Sequence, residues 1–366
     1  MTMVEEKGNI SLKDVIECVK PVFDGNCIPV CMSSNNKYAP YLTVALRSIL
    51  KNSNPTDKYD IVILEKDLSD ANKRILKRYE SDRVSVRFYN LSDIIDSAGV
   101  YFYTFSYFSI EVYFRLFIPC IFKNYEKVLW LDCDAVCMSD IAELYNQDLS
   151  DNMIGAVKDI IALNCILSDK YFNRQKEELS FENPTNYVNS GVLLFDIHKL
   201  NDFDFVAKSL DLIKHFIPKF PDQDIINKVA EGHIKHLNLK YNSTYYYNSI
   251  LTDANLNLYR ELYQEAKDAL ENPVFFHFMG PDKPWTDMDL YNASLFWKYA
   301  RETEVYEKIL FHNFQYLFHY RRNLLYYLMY SFLCHFTFGK TYKKLKNKKT
   351  EYKKKMKYAR QIFKAY

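Results

Sequence analysis

KVLWLDCDAV, residues 127–136, is an apolar run interrupted by two acidic residues. Its first part, KVLWLD (127–132), predicts a strand at the centre of a sheet, because a strand covered on both faces is apolar at nearly every position. Asp132 and Asp134 stand where this strand ends. Open α/β sheets bind their ligands beyond the carboxyl ends of the strands, so this pair marks the first candidate for a functional site.

Apolar strands and amphipathic helices alternate on both sides of this stretch. The predicted strands are 27–33, 60–65, 84–89, 127–132, 153–159, 188–197, 233–241 and 274–280. Helices are predicted after the first strand, over 69–80 and over 109–118, from apolar residues that recur at helical spacing. This order is typical of βαβ units, so the predicted fold class is α/β with a mostly parallel, Rossmann-like sheet.

The composition excludes several classes of protein. A hydrophobic fraction of 48% and an aromatic fraction of 16% exclude a chain that is disordered throughout. The eight glycines are never closer together than 17 residues, which excludes the glycine-rich loops of dinucleotide-binding enzymes and P-loop NTPases. A nucleotide would therefore have to be held by a metal ion and by side chains.

The cysteines and the amino-terminal residues predict a reducing, cytoplasmic location. None of the eight cysteines forms a C-x-x-C pair, and the opening residues MTMVEEKGNI are too polar for a signal peptide. Two pairs, Cys27 with Cys31 and Cys133 with Cys137, have a spacing that could serve a metal. Because both pairs lie in apolar runs, we interpret them as buried thiols.

The carboxyl-terminal residues have a different character. From residue 340 onward there are twelve Lys and Arg against one acidic residue, a balance of +11 that leaves −9 for the rest of the chain. Residues 323–339 carry no Lys, Arg, Asp or Glu, but they are too few and too polar for a membrane-spanning helix. We predict an amphipathic segment that lies on an anionic membrane surface. Nucleic-acid binding and a merely solvated tail are the alternatives.

Asp132 and Asp134 have three interpretations at this stage. Two carboxylates one residue apart suit a divalent cation, but an acidic turn has the same residues. A phosphohydrolase with an aspartate nucleophile also places such a pair after an apolar strand. That strand comes first in such enzymes and a Gly-Asp pair follows later, whereas here a βαβαβ half precedes the motif and the sequence contains no Gly-Asp.

Five collinear blocks of sequence resemble glycosyltransferase family eight, a family of retaining, metal-dependent sugar transferases. The blocks, which extend over roughly residues 27–300, are IPVCMSSNNKYAPYLTVALRSIL, FRLFIP, WLDCDAV, VNSGVLLFDI with PDQDIIN, and HFMGPDKPW. The resemblance implies a GT-A type fold, a UDP-sugar donor, Mn²⁺ or Mg²⁺ as cofactor, and a glycan or glycolipid acceptor. Together with the change in composition near residue 301, it divides the chain into a lead (1–26), a catalytic domain (27–300) and a basic, helical membrane-association segment (301–366).

The resemblance also assigns roles to individual residues. The implied metal ligands are Asp132, Asp134 and His277. The implied catalytic residues are Asp159, Asp222, Gln223 and Lys283. The implied substrate-binding residues are Ser33, Asn35, Lys37, Tyr38, Arg115, Asn189, Ser190 and Gly280.

Four of these residues also have a structural interpretation. His277 could be a core histidine, Arg115 a surface ion-pair partner, Asp222 a helix cap and Lys283 a solvated loop residue. The chain also departs from the family at Asn35 to Tyr38, where many members have Asp-Asp-Asn-Tyr. Because Asn35 and Asn36 replace the two carboxylates and Lys37 adds a cation, the contacts to the nucleobase are open.

The resemblance favours a front-face mechanism, in which the acceptor hydroxyl attacks on the side of the leaving group. Gln223 stands where a covalent mechanism would need a carboxylate, and an amide is a poor nucleophile. The sequence therefore predicts a hexosyltransferase that acts on lipopolysaccharide or another surface glycan, at the inner face of the cytoplasmic membrane. An inactive sugar-nucleotide-binding homologue and a membrane scaffold remain alternatives.

Overall fold

The structure is a computed structural model that describes residues 12–105, 108–162, 179–252 and 260–364. The chain divides into two compact units, Met1–Met279 and Gly280–Tyr366. The predicted α/β class is confirmed, because the first unit is built around a mostly parallel seven-stranded sheet.

The first unit contains nine strands within the described residues. They are β1 (Cys27–Ser33), β2 (Lys58–Glu65), β3 (Val84–Asn90), β4 (Lys127–Leu131), β5 (Ala135–Cys137), β6 (Ile154–Lys158), β7 (Val188–Asp196), β8 (Ile234–His236) and β9 (Phe275–His277). Its α-helices are α1 (Leu12–Val15), α2 (Ala39–Asn52), α3 (Asp70–Lys77), α4 (Ser92–Ser97), α5 (Ile118–Ile121), α6 (Ala142–Tyr145), α7 (Ile197–Asp202), α8 (Phe205–His215), α9 (Pro221–Val229) and α10 (Arg260–Glu271).

The order of strands in the sheet is β3-β2-β1-β4-β7-β6-β8. β7 runs antiparallel to both of its neighbours, and the other pairs are parallel. The chain moves outward from β1 to β3 and then returns to place β4 on the other side of β1. The strand order therefore reverses between β1 and β4, which is where open α/β sheets form a ligand crevice.

Three predicted elements differ in extent from the sequence expectation. The helix predicted over 109–118 is a 3-10 helix, Ile110–Phe117, followed by α5. Pro119 has no N–H for the Arg115 carbonyl, which instead accepts from the Ile118 N–H three residues on. The strand predicted over 233–241 ends at His236 because the Asn238 side chain accepts from the Lys240 N–H and starts a 3-10 helix, Leu239–Asn242. The strand predicted over 274–280 is limited to β9.

The seven cysteines in the described part of the chain are free thiols. Cys31 and Cys137 are buried as expected, whereas Cys27 and Cys133 are only half-buried. Burial, with a smaller contribution from the charge of Asp140, raises the pKa of the Cys137 thiol to about 12, so this thiol is protonated at neutral pH.

The second unit contains α11 (Ala293–Ala300), α12 (Tyr306–Leu333) and α13 (Gly339–Lys364). The ring of Tyr352 on α13 stacks on Tyr326 and Tyr330 of α12, with centroids 4.9 and 5.6 Å away. The expected basic carboxyl-terminal extension is thus a pair of helices. None of the helices in the described ranges is both long and apolar enough to cross a membrane.

Candidate active site

Asp132, Asp134 and His277 converge beyond the carboxyl end of β4, and we call these three residues the metal-binding cluster. Nε2 of His277 lies 3.1 Å from Oδ1 of Asp134 and 3.8 Å from Oδ2 of Asp132. One potential ligand atom from each residue lies within 4.8 Å of the other two. The cluster therefore has the dimensions to hold one metal ion, as the sequence predicts.

Backbone pairing sets the positions of the three side chains. The N–H of Asp132 donates to the carbonyl of Gly191 on β7 over 2.8 Å. β5 and β9 form a short antiparallel ribbon that pairs Ala135 with His277. This ribbon brings a histidine from far along the chain to within one residue of Asp134.

Arg115 is buried behind the metal-binding cluster, with only 3% of its surface exposed. Its NH2 lies 2.9 Å from Oδ1 of Asp132, and its Nε lies 3.1 Å from Oδ2 of Asp222. The guanidinium also donates to the Ser190 carbonyl and stands 4.4 Å above the Trp130 ring. A surface ion pair is thus the wrong interpretation of Arg115, since its contacts join β4, β7 and α9.

Electrostatics at Asp132 favour a cation. Burial is the largest influence and raises the pKa of the Asp132 carboxyl, and the neighbouring carboxylate of Asp134 raises it further. Arg115 and His277 act in the opposite direction. A divalent cation would compensate the negative charges of these two half-buried carboxylates, which the protein leaves only partly neutralised.

A second group of side chains, the polar cluster, consists of Asp159, Asn189, Ser190 and Gln223. Gln223 Nε2 donates to Asp159 Oδ2 over 3.0 Å, and Gln223 Oε1 accepts from the Ser190 N–H over 3.1 Å. Asn189 Nδ2 donates to both Asp159 and Gln223. All four residues are at least nine-tenths buried, so their carboxylate, amide and hydroxyl groups hold one another in fixed orientations.

Asp222 is next to the polar cluster in sequence but faces Arg115. The N-cap residue of α9, Phe220, has no side-chain cap hydrogen bond, and it is Asp224 whose Oδ2 accepts from the N–H groups of Lys219 and Phe220 just before the helix, over 2.8 and 3.0 Å. Oδ2 of Asp222 has no hydrogen-bond donor, because the Nε–H of Arg115 is directed at the Val112 carbonyl. Asp222 therefore contributes charge to the site rather than helix capping.

Ser33 is the last residue of β1, and the segment that follows carries Asn35, Lys37 and Tyr38. Oδ1 of Asn35 accepts from the N–H groups of Lys37 and Tyr38, each over 3.1 Å, while its Nδ2 donates to Oε2 of Glu111 over 3.2 Å. The Asn35 amide thus has protein partners at both ends. Glu111, which sequence reasoning missed, is the carboxylate at this segment.

Lys37 is half-buried, and this burial lowers the pKa of its ammonium group while the charge of Glu111 opposes the shift. Ser33 ends β1 and donates from Oγ to the Glu111 carbonyl over 3.3 Å. The ring of Tyr38 contacts Tyr41 edge to face at 5.7 Å between centroids. Ser33, Asn35 and Glu111 thus form one connected group at the end of β1.

Gly280 and Lys283 are the predicted site residues that belong to the second unit. Gly280 has a φ of +82°, a conformation that favours glycine. Lys283 is buried, so the solvated loop lysine is the wrong alternative for it. Its backbone N–H donates to Thr286 Oγ1 over 3.2 Å, which orders the turn that carries it. The role of either residue towards the metal-binding cluster stays a prediction.

Two further residues of the site were missed by sequence reasoning. Asn242 is fully buried, and its Oδ1 lies 3.0 Å from Nδ1 of His277. Gly191 lies so close to His277 that a Cβ atom there would come within 2.3 Å of the imidazole Cε1. The sequence offered a signal for Gly191, which is the glycine within VNSGVLLFDI, but no local signal for Asn242.

Comparison with known proteins identifies the family. The sequence profile described as Glycosyl transferase family 8 matches residues 29–289, which is more than half of the chain. The chain belongs to this family. The family 8 assignment confirms the resemblance seen in the sequence and accounts for a mixed sheet with its candidate site between β1 and β4.

Relatives of this family 8 chain include glycosyltransferases, some of them named for lipopolysaccharide. The lipopolysaccharide 1,2-glucosyltransferase of Escherichia coli strain K12 is 26% identical over 283 residues, covering 75% of this chain and 78% of that enzyme. The bifunctional glycosyltransferase WbbM is 26% identical with a TM-score of 0.70, over 80% of this chain and 52% of that one. The galactosyltransferase LgtC, solved with donor and acceptor sugar analogues, has a TM-score of 0.63 at 23% identity over 76% of this chain and 96% of LgtC.

The donor set of the metal-binding cluster fits a hard divalent cation. Two carboxylates and one imidazole are ligands that suit Mn²⁺ or Mg²⁺. The three residues leave room for further oxygen ligands, since each contributes one atom to a site that favours a coordination number of six. The arrangement therefore agrees with a metal-dependent glycosyltransferase of family 8.

Proposed function

We propose that this chain is a retaining hexosyltransferase that transfers glucose or galactose from a UDP-sugar to a glycan acceptor, with Mn²⁺ or Mg²⁺ as cofactor. The observation that carries the proposal is the adjacency of two clusters, one of metal ligands and one of sugar-binding character. Asp132 is linked through Arg115 to Ser190, a member of the polar cluster. The names of the relatives support a surface glycan such as lipopolysaccharide as the acceptor.

The metal-binding cluster would hold the cation with Asp132, Asp134 and His277. When bound, the divalent cation supplies positive charge to the diphosphate of the donor. Arg115 neutralises the carboxylates of Asp132 and Asp222 and holds them in place. The protein's own contribution is therefore a fixed set of charges that needs no rearrangement during the reaction.

Asp159, Asn189 and Gln223 are assigned to the hexose ring. Sugar hydroxyls both donate and accept hydrogen bonds, and this group offers carboxylate oxygens together with amide N–H and C=O groups. The fixed mutual hydrogen bonds among these residues give a pre-formed pocket wall. Such a wall positions the anomeric carbon for attack at low entropic cost.

Retention of the anomeric configuration is assigned to a front-face displacement. Gln223 is an amide whose nitrogen and oxygen are already engaged with Asp159, Asn189 and Ser190, so it has neither the charge nor the free lone pair of a nucleophile. The acceptor oxygen bonds to the anomeric carbon as the bond to the diphosphate oxygen breaks. The diphosphate leaves on the same face and accepts the acceptor's proton. Lys283 is assigned to the leaving diphosphate, where negative charge increases.

The nucleoside is assigned to Ser33 at the end of β1 and to the segment after it that carries Asn35, Lys37 and Tyr38. Tyr38 offers a ring for stacking on the base, and Lys37 a cation. Because both ends of the Asn35 amide have protein partners, we assign to Glu111 the carboxylate role that the family's acidic residues fill in this segment.

The second unit is proposed to rest on an anionic membrane surface at the cytoplasmic face, beside a glycolipid acceptor. Six large apolar residues of α12, each more than half exposed, recur every three, four or seven positions and form an apolar stripe: Phe311, Phe314, Phe318, Leu325, Leu328 and Phe332. The lysines of α13 supply the positive charge that attracts anionic lipid headgroups. No role for nucleic acid is proposed.

The decisive experiment is a screen of UDP-sugars for Mn²⁺-dependent hydrolysis in solution. We expect turnover of one UDP-hexose, loss of turnover with EDTA, and a first product that keeps the anomeric configuration of the donor, as read by NMR. Hydrolysis that is indifferent to EDTA, or a product of inverted configuration, would contradict the proposal. Donor binding without turnover identifies an inactive homologue, and release of phosphate from phosphomonoesters identifies a phosphohydrolase.

A further inference from the structure

Asn242 connects His277 to the polar cluster by side-chain hydrogen bonds. It is fully buried and is the last residue of the 3-10 helix Leu239–Asn242. Oδ1 of Asn242 lies 3.0 Å from Nδ1 of His277, and its Nδ2 donates to Oδ1 of Asn189 over 2.8 Å. Its backbone carbonyl accepts from the hydroxyl of Tyr247 over 2.9 Å. Three interactions thus hold Asn242 in one orientation.

Neighbouring groups that can only donate or only accept a hydrogen bond decide which end of the Asn189 and Asn242 amides is the oxygen and which is the NH₂ group. The backbone N–H of Gly191 can only donate, and it lies 2.9 Å from one atom of the Asn189 amide, which must therefore be the oxygen. The other end of that amide faces the carboxylate of Asp159 at 3.1 Å and must be the NH₂ group. Asn242 contacts the oxygen of Asn189, so its own NH₂ points there. The oxygen of Asn242 consequently faces His277.

The same logic determines the tautomer of His277. An amide oxygen only accepts, so Nδ1 of the imidazole must carry the proton. Nε2 faces Asp134 and Asp132, and any proton that it shares with these carboxylates in the metal-free protein would leave when a cation binds. With Nδ1 held as a donor, the ring can bind a cation through Nε2 alone, and a hydrogen bond at the second ring nitrogen is the usual way of fixing this arrangement.

We propose that Asn242 is a positioning residue that selects the metal-binding tautomer of His277 and joins this ligand to the polar cluster through Asn189. The inference rests on the proposed function, because it takes the metal-binding cluster as a cation site and the polar cluster as the site of the donor sugar. The two connections of Asn242 use different atoms. Substitutions can therefore break one and keep the other.

The experiment measures Mn²⁺ binding to the full chain by electron paramagnetic resonance, without donor. Asn242→Leu removes the acceptor from Nδ1 of His277, and we expect a loss of Mn²⁺ affinity of about 10- to 100-fold. Asn242→Asp keeps an acceptor for Nδ1 but places a second oxygen against Oδ1 of Asn189. This variant should keep Mn²⁺ affinity and lose affinity for the UDP-sugar relative to UDP.

Asn201→Leu is the matched control, since Asn201 donates to the carbonyls of Pro119 and Ile197 and to no member of either cluster. It should bind Mn²⁺ as the wild type does. Mn²⁺ affinity equal to wild type in a folded Asn242→Leu variant would overturn the inference.

A measurement on the wild type keeps the test independent of whether the variants fold. Nitrogen-15 NMR of the metal-free protein, with its eight histidines labelled and the signal of His277 assigned from His277→Gln, reports which ring nitrogen carries the proton. A proton on Nδ1, with or without a second proton on Nε2, supports the inference, and an Nδ1 that carries no proton overturns it. If the wild type shows this tautomer but binds no Mn²⁺, the proposed function fails while the tautomer assignment stands.

Discussion

Gly191 and His277 are packed so closely that a Cβ atom at residue 191 would lie 2.3 Å from Cε1 and 2.6 Å from Nδ1 of the imidazole. Gly191 lies on β7 and His277 on β9, strands that belong to different sheets. Because Gly191 has no side chain, the imidazole of His277 has the space to approach Asp132 and Asp134.

The first prediction is that Gly191→Ala displaces His277. We expect a loss of stability of about 1–3 kcal/mol from overpacking, together with a loss of Mn²⁺ affinity measured by electron paramagnetic resonance. Gly155→Ala is the control, because a Cβ atom there would crowd Leu149 at 2.7 Å without touching the cluster. A folded Gly191→Ala protein with wild-type Mn²⁺ affinity would show that the close contact has no bearing on metal binding.

The second prediction concerns the buried charge of Arg115. Arg115→Met leaves the carboxylates of Asp132 and Asp222 without their cation, so the free energy of unfolding should fall by about 3–5 kcal/mol. Urea denaturation followed by circular dichroism measures this change. Adding Asp222→Asn should recover part of the loss, because it removes one of the uncompensated charges. Arg322→Ala, at an exposed position of α12, should change stability little.

How well the sequence predicts a residue of this site depends on how far away in the chain the residues that it contacts lie. The placement of Asp132 and Asp134 at a strand end follows from one short apolar run. The ligand role of His277 needs the pairing of β5 with β9, which joins residues about 140 positions apart and leaves no trace in local periodicity. The same holds for Asn242 and Glu111, whose partners lie 35 and 76 residues away in sequence. Family resemblance supplied His277, and it supplied neither of the other two.

The extent of single elements was predicted less well than their order. The helix expected over 109–118 is a 3-10 helix, and Pro119 removes the donor that an α-helical bond to the Arg115 carbonyl at its end would need. The strand expected over 233–241 ended early because the side chain of Asn238 competes with the sheet for a backbone N–H. Both ends involve single hydrogen bonds that apolar periodicity does not report.

The third prediction is that Asp134→Asn abolishes sugar transfer and metal-dependent UDP binding while the fold persists. The amide oxygen is a neutral and weaker ligand for a hard cation. Binding of UDP with and without Mn²⁺, measured by calorimetry, tests this expectation. Asp151→Asn, at an exposed position, serves as the control. Wild-type turnover by Asp134→Asn in EDTA-treated buffer would rule out the metal site.

The fourth prediction concerns Lys283. Its assigned partner is the leaving diphosphate, whose charge increases in the transition state, so Lys283→Ala should lower kcat by about 100-fold and donor affinity much less. Steady-state kinetics and donor titration separate the two effects. Lys298→Ala, an exposed lysine on α11, should leave both unchanged. A variant at residue 283 with normal kcat and weakened donor binding would instead make Lys283 a simple binding residue.

The last prediction is that the apolar stripe of α12 and the lysines of α13 act together on membranes. Truncation before α12 is a poor test, because Asn313 is buried and donates to the carbonyl of Trp285 within the same unit. Substituting Phe314, Phe318, Leu325 and Phe332 by Ser removes four of the six residues of the stripe without touching that bond. Flotation of this variant with vesicles that contain anionic lipid should fall strongly, and donor hydrolysis in solution should persist.

The control for that variant replaces exposed apolar residues elsewhere, Tyr101, Ile217 and Met288, by Ser. It should float like the wild type. Raising the salt concentration should weaken flotation of the wild type, because each lysine near an anionic surface contributes about 1 kcal/mol that salt screens. Apolar insertion and charge attraction both contribute to the free energy of membrane binding. Neutral vesicles, which offer no charge attraction, should therefore bind the wild type weakly even at low salt. Equal flotation of the four-site variant and the wild type on anionic vesicles would exclude the stripe as the membrane contact.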